Sequence, residues 1–297
     1  MQPDFNALAV FALVAEERSF RAASDRLGVT RSAVSQTIMR LEETLGTALV
    51  RRTTRSVSLT EAGERLHAQV APAIAEMRIA VETTGSLKGR PRGQLRLAVS
   101  SIAERFLSGP FLASFVEANP EVQLDVNVTD EEFDIVAEGY DAGVRLGEVI
   151  EQDMIAVPLA GDERQLVVCS PAYRDRCGVP SHPSQLTAHR CIGWRPSPKS
   201  APYRWEFAEA GKEFSVAVEP EITTNDMALM IKLAVAGAGI TFGMEESFRP
   251  LVARGELIPM LEGYCPHFAG FYLYYPSRKN VAPKLRALIE HVQRREW

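Results

Sequence analysis

The chain has 297 residues, 46% hydrophobic and 24% charged, with a net charge of −5 and four cysteines. These values exclude a disordered chain and a disulfide-stapled miniprotein, and they set an expectation of about two domains with ordinary cores. No run approaches the roughly 18 apolar residues of a membrane span, and MQPDFNALAV lacks the basic start of a signal peptide, so a cytosolic protein with no membrane contact is expected.

Charge is not spread evenly. Residues 18–58 hold eight Lys/Arg against three Asp/Glu, although the chain as a whole is acidic. Two readings stay open: a small polyanion-binding module, or a solvated basic face. Cys169, Cys177, Cys191 and Cys265 form no CxxC pair, so free structural thiols are expected, with a redox switch as the alternative.

In chain order, residues 4–17 carry Phe5, Leu8, Phe11, Ala12 and Ala15 at helical spacing. Ser19 can cap a second helix over 20–27 with Phe20, Ala23 and Leu27 inward, and Gly28 suits the left-handed position that ends it. Val29 then packs, and Thr30 can cap a third helix over 30–46. That helix has an apolar face of Val34, Ile38, Leu41 and Leu45. Its other face is Arg31, Ser32, Ser35, Gln36 and Met39, which no core wants. Two short helices joined by LGVT, packed on a preceding helix, make a helix-turn-helix layout.

Residues 48–60 alternate as two short strands with a basic tip, a wing. Residues 61–88 repeat Leu66, Val70, Ala73, Met77, Ala80, Thr84 and Leu87 in steps of four and three. This heptad-like seam predicts a dimerisation helix, or alternatively packing on its own domain, with a local kink at Pro72. KGRPRGQ (88–94) reads as a linker. Beyond it strands (94–100, 122–128, 141–147, 165–170, 270–277) alternate with helices (104–118, 131–139, 226–236, 282–295). That pattern predicts a parallel-sheet α/β domain. No GxSxG, HExxH or phosphate loop occurs, and the five histidines lack ligand spacing. No enzyme activity, metal or cofactor is expected.

The segment SFRAASDRLGVTRSAVSQTIMRLEETLGTALVRRTTRSVSLTEAGERL resembles the DNA-binding domain of LysR-type transcriptional regulators. The order of parts follows the same plan across essentially the whole chain, with DAGVRLG and GAGITF as looser matches. The resemblance implies an N-terminal all-α winged helix-turn-helix (1–60) and a linker helix (61–88). After these it implies a C-terminal α/β two-lobed effector domain (89–297) like a periplasmic solute-binding protein. Lobe one would be 89–161 with 266–297, and lobe two 162–265. It further implies a homodimer through the linker helix, usually assembled to a homotetramer, with promoter DNA and a small-molecule effector as partners and RNA polymerase as a further one. A solute-binding or redox-sensing regulator without a classical effector is the alternative.

Within this frame the third helix supplies the base-reading surface. Arg31, Ser32, Ser35, Gln36 and Met39 can reach base edges in the major groove, with Gln36 suited to adenine and Arg31 to guanine or phosphate. Thr30 and the helix N-terminus suit a phosphate, Arg40, Arg51 and Arg52 contact phosphates, and Thr54 and Arg55 at the wing tip enter the minor groove. A Gln is usual in the family where Arg31 stands, and a Pro or Ser where Ser32 stands, so the family pattern does not give the base preferred at Arg31. The effector is expected between the lobes, at strand ends and helix N-termini. Ser100, Ser101, Thr129, Thr224 and Asn225 are the polar candidates there. Arg145, inside an apolar strand, calls for a ligand carboxylate or for a structural partner such as Asp141. Trp194 walls the cleft or belongs to the core. Hydroxyls with an arginine suit a small organic anion.

Overall fold

The computed structural model describes residues 4–52, 57–85, 90–103, 106–131, 133–159, 161–277 and 280–294, with backbone alone at 52 and 82–85. The chain begins with α1 (Phe5–Glu17), α2 (Phe20–Leu27) and α3 (Arg31–Leu45). Each start is fixed by a short polar side chain accepting a backbone N–H: Asp4 from Asn6, Ser19 from Ala22 and Thr30 from Ala33. Such a cap stabilises a helix by about 1 kcal/mol. Gly28 (φ 65°) and Gly46 (φ 70°) end α2 and α3 in the left-handed region, where a Cβ would be strained.

The three helices close on a core of Phe11, Val14, Phe20, Val34, Ile38 and Leu41. Truncating one of these to Ala costs about 2–5 kcal/mol. Several residues predicted to face inward do not. Phe5 is 78% exposed, Leu27 39%, Val29 48% and Leu45 38%. They sit at helix ends and in the turn, where too few neighbours remain to cover them. The wing follows as β1 (Val50–Arg52) and β2 (Val57–Leu59), paired antiparallel with Arg51 opposite Ser58.

Helix α4 (Glu61–Gly85) then runs unbroken past Pro72. Its buried face is Gly63, His67, Ala71 and Ile74, turned toward its own chain. The predicted seam lies elsewhere. Leu66 and Val70 are half-buried, while Ala73, Met77 and Ala80 are exposed, and Val81 beside them is 73% exposed. Helix α4 therefore packs inward with one stripe and leaves a second apolar stripe uncovered. Leu87 lies outside the described residues, and of Thr84 only the backbone is described.

The rest of the chain builds two sheets. First come β3 (Gly93–Val99), α5 (Gly109–Ala118), β4 (Val122–Val128), β5 (Ala142–Leu146) and β6 (Met154–Pro158). The chain then crosses to β7 (Glu163–Cys169), α6 (Pro171–Cys177), β8 (Cys191–Trp194), the hairpin β9 (Trp205–Glu209) and β10 (Lys212–Val216), and β11 (Ile222–Thr224). Next are α7 (Met227–Val235), β12 (Ile240–Met244), α8 (Glu245–Ala253), β13 (Ile258–Met260) and β14 (His267–Phe268). It returns as β15 (Phe271–Pro276) and α9 (Pro283–Gln293).

The strand orders are β4-β3-β5-β15-β6 and β11-β8-β12-β7-β13, each over its own apolar core. The sheets are mixed, not parallel as the alternation implies. Strand β15 pairs antiparallel with β5 and β6, and β7 antiparallel with β12 and β13. These are the strands nearest the two crossings, and a chain arriving from the other sheet enters from the opposite end.

Among the described residues of 131–139, where the sequence predicts a helix, there is none. Asp134 accepts from Val136 N (2.8 Å) and Ala137 N (3.1 Å), and Gly139 (φ 73°) closes the turn after one round. The helix predicted from 104 starts at Gly109, with Pro110 in its first turn, where a missing N–H costs nothing.

Candidate nucleic-acid interface and ligand cleft

Helix α3 presents its polar face to solvent. Arg31, Ser32, Gln36, Met39 and Arg40 are exposed, Ser35 is half-buried, and Val34, Ile38 and Leu41 on the opposite side are buried. Met39 is 48% exposed, an apolar side chain placed where the winged core cannot use it. Thr30 Oγ1 caps Ala33 N at 3.2 Å and lies 3.0 Å from Ser32 Oγ, so the hydroxyls of Thr30 and Ser32 are already ordered at the helix N-terminus.

The wing is tied to this helix from below. Glu42, on the last turn of α3, accepts from Leu49 N (2.8 Å) and Val50 N (3.1 Å). Thr60 donates its hydroxyl to Ala48 O (2.7 Å) and its amide to Leu49 O (2.9 Å). Wing and α3 are thus tied together by hydrogen bonds to backbone amides, with Arg51 exposed on the wing. Thr54 and Arg55 at the tip, and the side chain of Arg52, lie outside the described residues.

Among the described side chains of 18–58, Arg26 and Arg18 are used internally. Arg26 pairs with Glu17 (2.8 Å) and Glu16 (3.3 Å), and Arg18 with Glu138 (3.0 Å). The second pair joins the winged domain to the first sheet. Nearby, a cavity of about 350 Å³ is lined by Leu13, Glu16 and Arg26 on one side and Arg96, Gly139 and Asp141 on the other. His67 lies close by, buried, in edge contact with Phe11 (6.4 Å). Burial lowers its pKa, opposed by the charges of Glu16, Glu138 and Asp134.

The second site lies between the two sheets. A cleft of about 450 Å³ is bounded by Ser100, Asp130, Arg145 and Glu148 from one lobe and by Gln165, Trp194, Tyr203, Met227 and Phe242 from the other. It opens beyond the carboxyl ends of β3 and β5, where open α/β sheets hold ligands. Of the residues predicted from the sequence, Ser100, Arg145 and Trp194 line it. Thr129 and Thr224 instead accept from the amides of Glu131 (3.2 Å) and Asp226 (3.1 Å), closing local turns. Asn225 is exposed beside the α7 cap, and Ser101 gives its amide to Asp130 (2.9 Å).

Asp141, one structural partner considered for Arg145, accepts from Arg96 N (2.9 Å) and pairs with Lys284 (3.2 Å). Arg145 instead donates to Glu131 O and stacks over Phe133 at 5.5 Å. Trp194 is half-buried against the second core, and its Nε1–H is shielded with no partner among the described residues.

Sequence reasoning missed Asp130, Glu148, Gln165, Tyr203, Met227 and Phe242. Of these, Asp130, just after β4 and Thr129, and Glu148, directly after the strand expected over 141–147, stand at positions the strand-end rule would flag. Tyr203 reaches the cleft through the segment before the unanticipated β9–β10 hairpin.

Comparison with known proteins agrees with this architecture. Residues 5–64 match the family model "Bacterial regulatory helix-turn-helix protein, lysR family", and residues 88–297 match "LysR substrate binding domain". The chain is 36% identical over 293 residues to the uncharacterized HTH-type transcriptional regulator YcaN of Escherichia coli, covering 99% of this chain and 96% of that one. It is 34% identical over 286 residues to PgrR of the same organism, covering 96% of each. Among solved structures it is similar to CrgA, a LysR-type transcriptional regulator from Neisseria meningitidis (TM-score 0.59, 29% identity, 98% and 99% coverage). The fold is also that of AphB, a Vibrio cholerae virulence activator (TM-score 0.64, 21% identity, 99% and 100% coverage).

Proposed function

Because the chain belongs to the LysR family of DNA-binding transcriptional regulators, we propose that the outer face of α3 reads its promoter bases and that the inter-lobe cleft holds the effector that gates it. The observation that carries the first half is the division of α3. Its buried side is spent on the winged core, while Arg31, Ser32, Gln36 and Met39 face outward on a helix tied to the wing. Gln36 pairs with adenine and Arg31 with guanine or phosphate, with Ser35 beside them. Arg40, Arg51, Arg52 and the N-terminus at Thr30 position the domain on phosphates, and Thr54 and Arg55 enter the minor groove.

The division of labour follows residues 1–60, 61–88 and 89–297, the last split into lobes at 89–161 with 266–297 and at 162–265. The uncovered stripe of α4, with Met77 53% and Val81 73% exposed, supports a homodimer through that helix. No helix among the described residues is long and apolar enough to cross a membrane. A promoter-binding protein works where the DNA is, which supports a cytoplasmic location. Tetramer formation and contact with RNA polymerase are further expectations of the same reading.

Gating works through two linked equilibria. An effector that prefers one lobe arrangement shifts the population toward it by no more than its differential affinity. The first lobe is tied to the winged domain by Arg18–Glu138, so a change in lobe closure changes how the winged domain is held. The redox alternative has less support. Cys169, Cys191 and Cys265 are buried, and burial pushes their thiols up to about 11, 12 and 11, away from the reactive thiolate.

The test is a promoter titration at fixed salt. Gln36→Ala or Arg31→Ala should weaken binding by about 1–3 kcal/mol and relax base preference. Unchanged affinity and specificity in both variants would overturn the assignment of α3.

A further inference from the structure

The anion-binding end of the cleft is already occupied by the protein itself. Asp130 Oδ1 accepts the Ser100 hydroxyl at 2.7 Å and the Ser101 amide at 2.9 Å. These are the donors beyond β3 that an incoming carboxylate would need. Arg145, the one arginine lining the cleft among the described residues, is engaged by Glu131 O and the Phe133 ring. Donors held this way are lost to a ligand unless those internal contacts are broken.

The opposite end of the cleft carries charge of the other sign. Glu148 lines both the cleft and a second cavity of about 310 Å³, which shares Leu146, Glu148, Gln165, Tyr203 and Phe242 with it. The two spaces therefore adjoin, with Glu148 in the wall of both. The second cavity adds Glu206 and Glu213, over Phe207, Phe214 and Phe268. Like-charge crowding is visible at Glu148, whose pKa is raised first by burial and then by the charges of Glu206 and Glu213. His267 is the one basic side chain lining that cavity among the described residues; Arg195 and Lys199 belong to the segment beside Trp194 but line neither space. Arg204 is turned to Ser215 Oγ (3.0 Å). The walls are aromatic, and an organic cation gains from aromatic faces as well as from carboxylates. Trp194 adds a shielded N–H that suits one neutral acceptor on the ligand.

We propose that this regulator's effector is an organic cation. Its aromatic or aliphatic body lies among Trp194, Tyr203, Met227 and Phe242, and its ammonium or guanidinium group sits at Glu148, flanked by Glu206 and Glu213. The proposal rests on the reading of the cleft as the effector site and reverses the sign of the ligand that the sequence leads one to expect.

The experiment uses the full chain and three probes with one body: tryptamine, tryptophol and indole-3-propanoate, titrated by calorimetry up to about 10 mM, a range that captures even millimolar ligands. Tryptamine should bind at least about tenfold tighter than the other two, and its affinity should fall with added salt, as an ionic contact at a solvent-open site requires. Glu148→Gln should weaken tryptamine by about fivefold or more and leave tryptophol unchanged, and Glu206→Gln with Glu213→Gln should weaken it further. Preference for the propanoate, equal binding of all three, or no heat from any of them would overturn the proposal. Promoter binding is measured on the same samples. Its loss in the parent protein would instead overturn the regulator reading, and intact promoter binding with an indifferent cleft would overturn the cation alone.

Discussion

Gly63→Ala is a small change with a large expected effect. Gly63 lies in the first turn of α4, against the start of the wing. A methyl group there would sit 2.0 Å from Leu49 O, whereas carbon and oxygen normally approach no closer than about 3.3 Å. Helix and wing would have to part by roughly 1.3 Å, from the difference of those two distances. The carbonyl cannot yield cheaply. Leu49 O accepts Thr60 N at 2.9 Å, and Glu42 holds the neighbouring amides at 2.8 and 3.1 Å. Replacing Gly by Ala in a helix gains up to about 1 kcal/mol. Overpacking costs about 1–3 kcal/mol, and the loosened backbone bond about 1 more. The net expectation is destabilisation of the winged domain by about 1–3 kcal/mol. The tryptophans make the assay selective. Trp194, Trp205 and Trp297 all lie in the effector half, so fluorescence follows that half while far-ultraviolet circular dichroism follows both. In urea, Gly63→Ala should shift part of the dichroism to lower denaturant, leave the fluorescence midpoint where it was, and weaken promoter binding. Dichroism and affinity both matching the parent protein would refute the reasoning.

Other outcomes follow from the same geometry. Met77→Glu with Val81→Glu should dissociate the dimer and lower promoter affinity, read by light scattering; an unchanged mass would remove α4 from the interface. Arg18→Glu breaks a pair with Glu138 whose side chains are 72% and 39% exposed. It should change the melting free energy by less than about 1 kcal/mol, while hydrogen exchange in 134–140 increases; a larger stability loss would mean the junction does more than dock. A disulfide reagent should titrate about one thiol per native chain, the exposed Cys177, and four after unfolding. Three fast native thiols would contradict the burial. The buried thiols have native pKa values raised above the unfolded value of 9.0. Their contribution is thus fully present below pH 9 and is lost as pH rises through about 11 to 12. The urea midpoint should fall across that window. A flat midpoint would show that these thiols ionise as easily in the native state.

The two halves of the molecule were legible to different degrees. The N-terminal domain is local: each cap, Ser19, Thr30 and Gly28, acts within three or four residues, so sequence spacing carries it. The misreadings there, Phe5 and Leu45, are apolar residues at helix ends, where periodicity continues but neighbours do not. In the effector half, 131–139 has helical composition, yet Asp134 and Gly139 close it after one turn. Arg145 shows the limit at the site. Its need for a partner is readable from an apolar strand, but the partners, Glu131 O and the Phe133 ring, come from a loop on the same lobe.

The sequence by itself determined the winged helix-turn-helix, the outward polar face of Arg31 to Met39, and the order of domains, because periodicity, caps and a dense motif are local properties. Only the tertiary structure decided the direction of β7 and β15, which stripe of α4 is covered, and the charge of the cleft. Those depend on which distant segments meet. Asp130 fills the donors at Ser100 and Ser101 because β3 and β4 lie side by side, and Glu148 gathers Glu206 and Glu213 because a hairpin of the second lobe folds back toward the first. No spacing along the chain records either encounter.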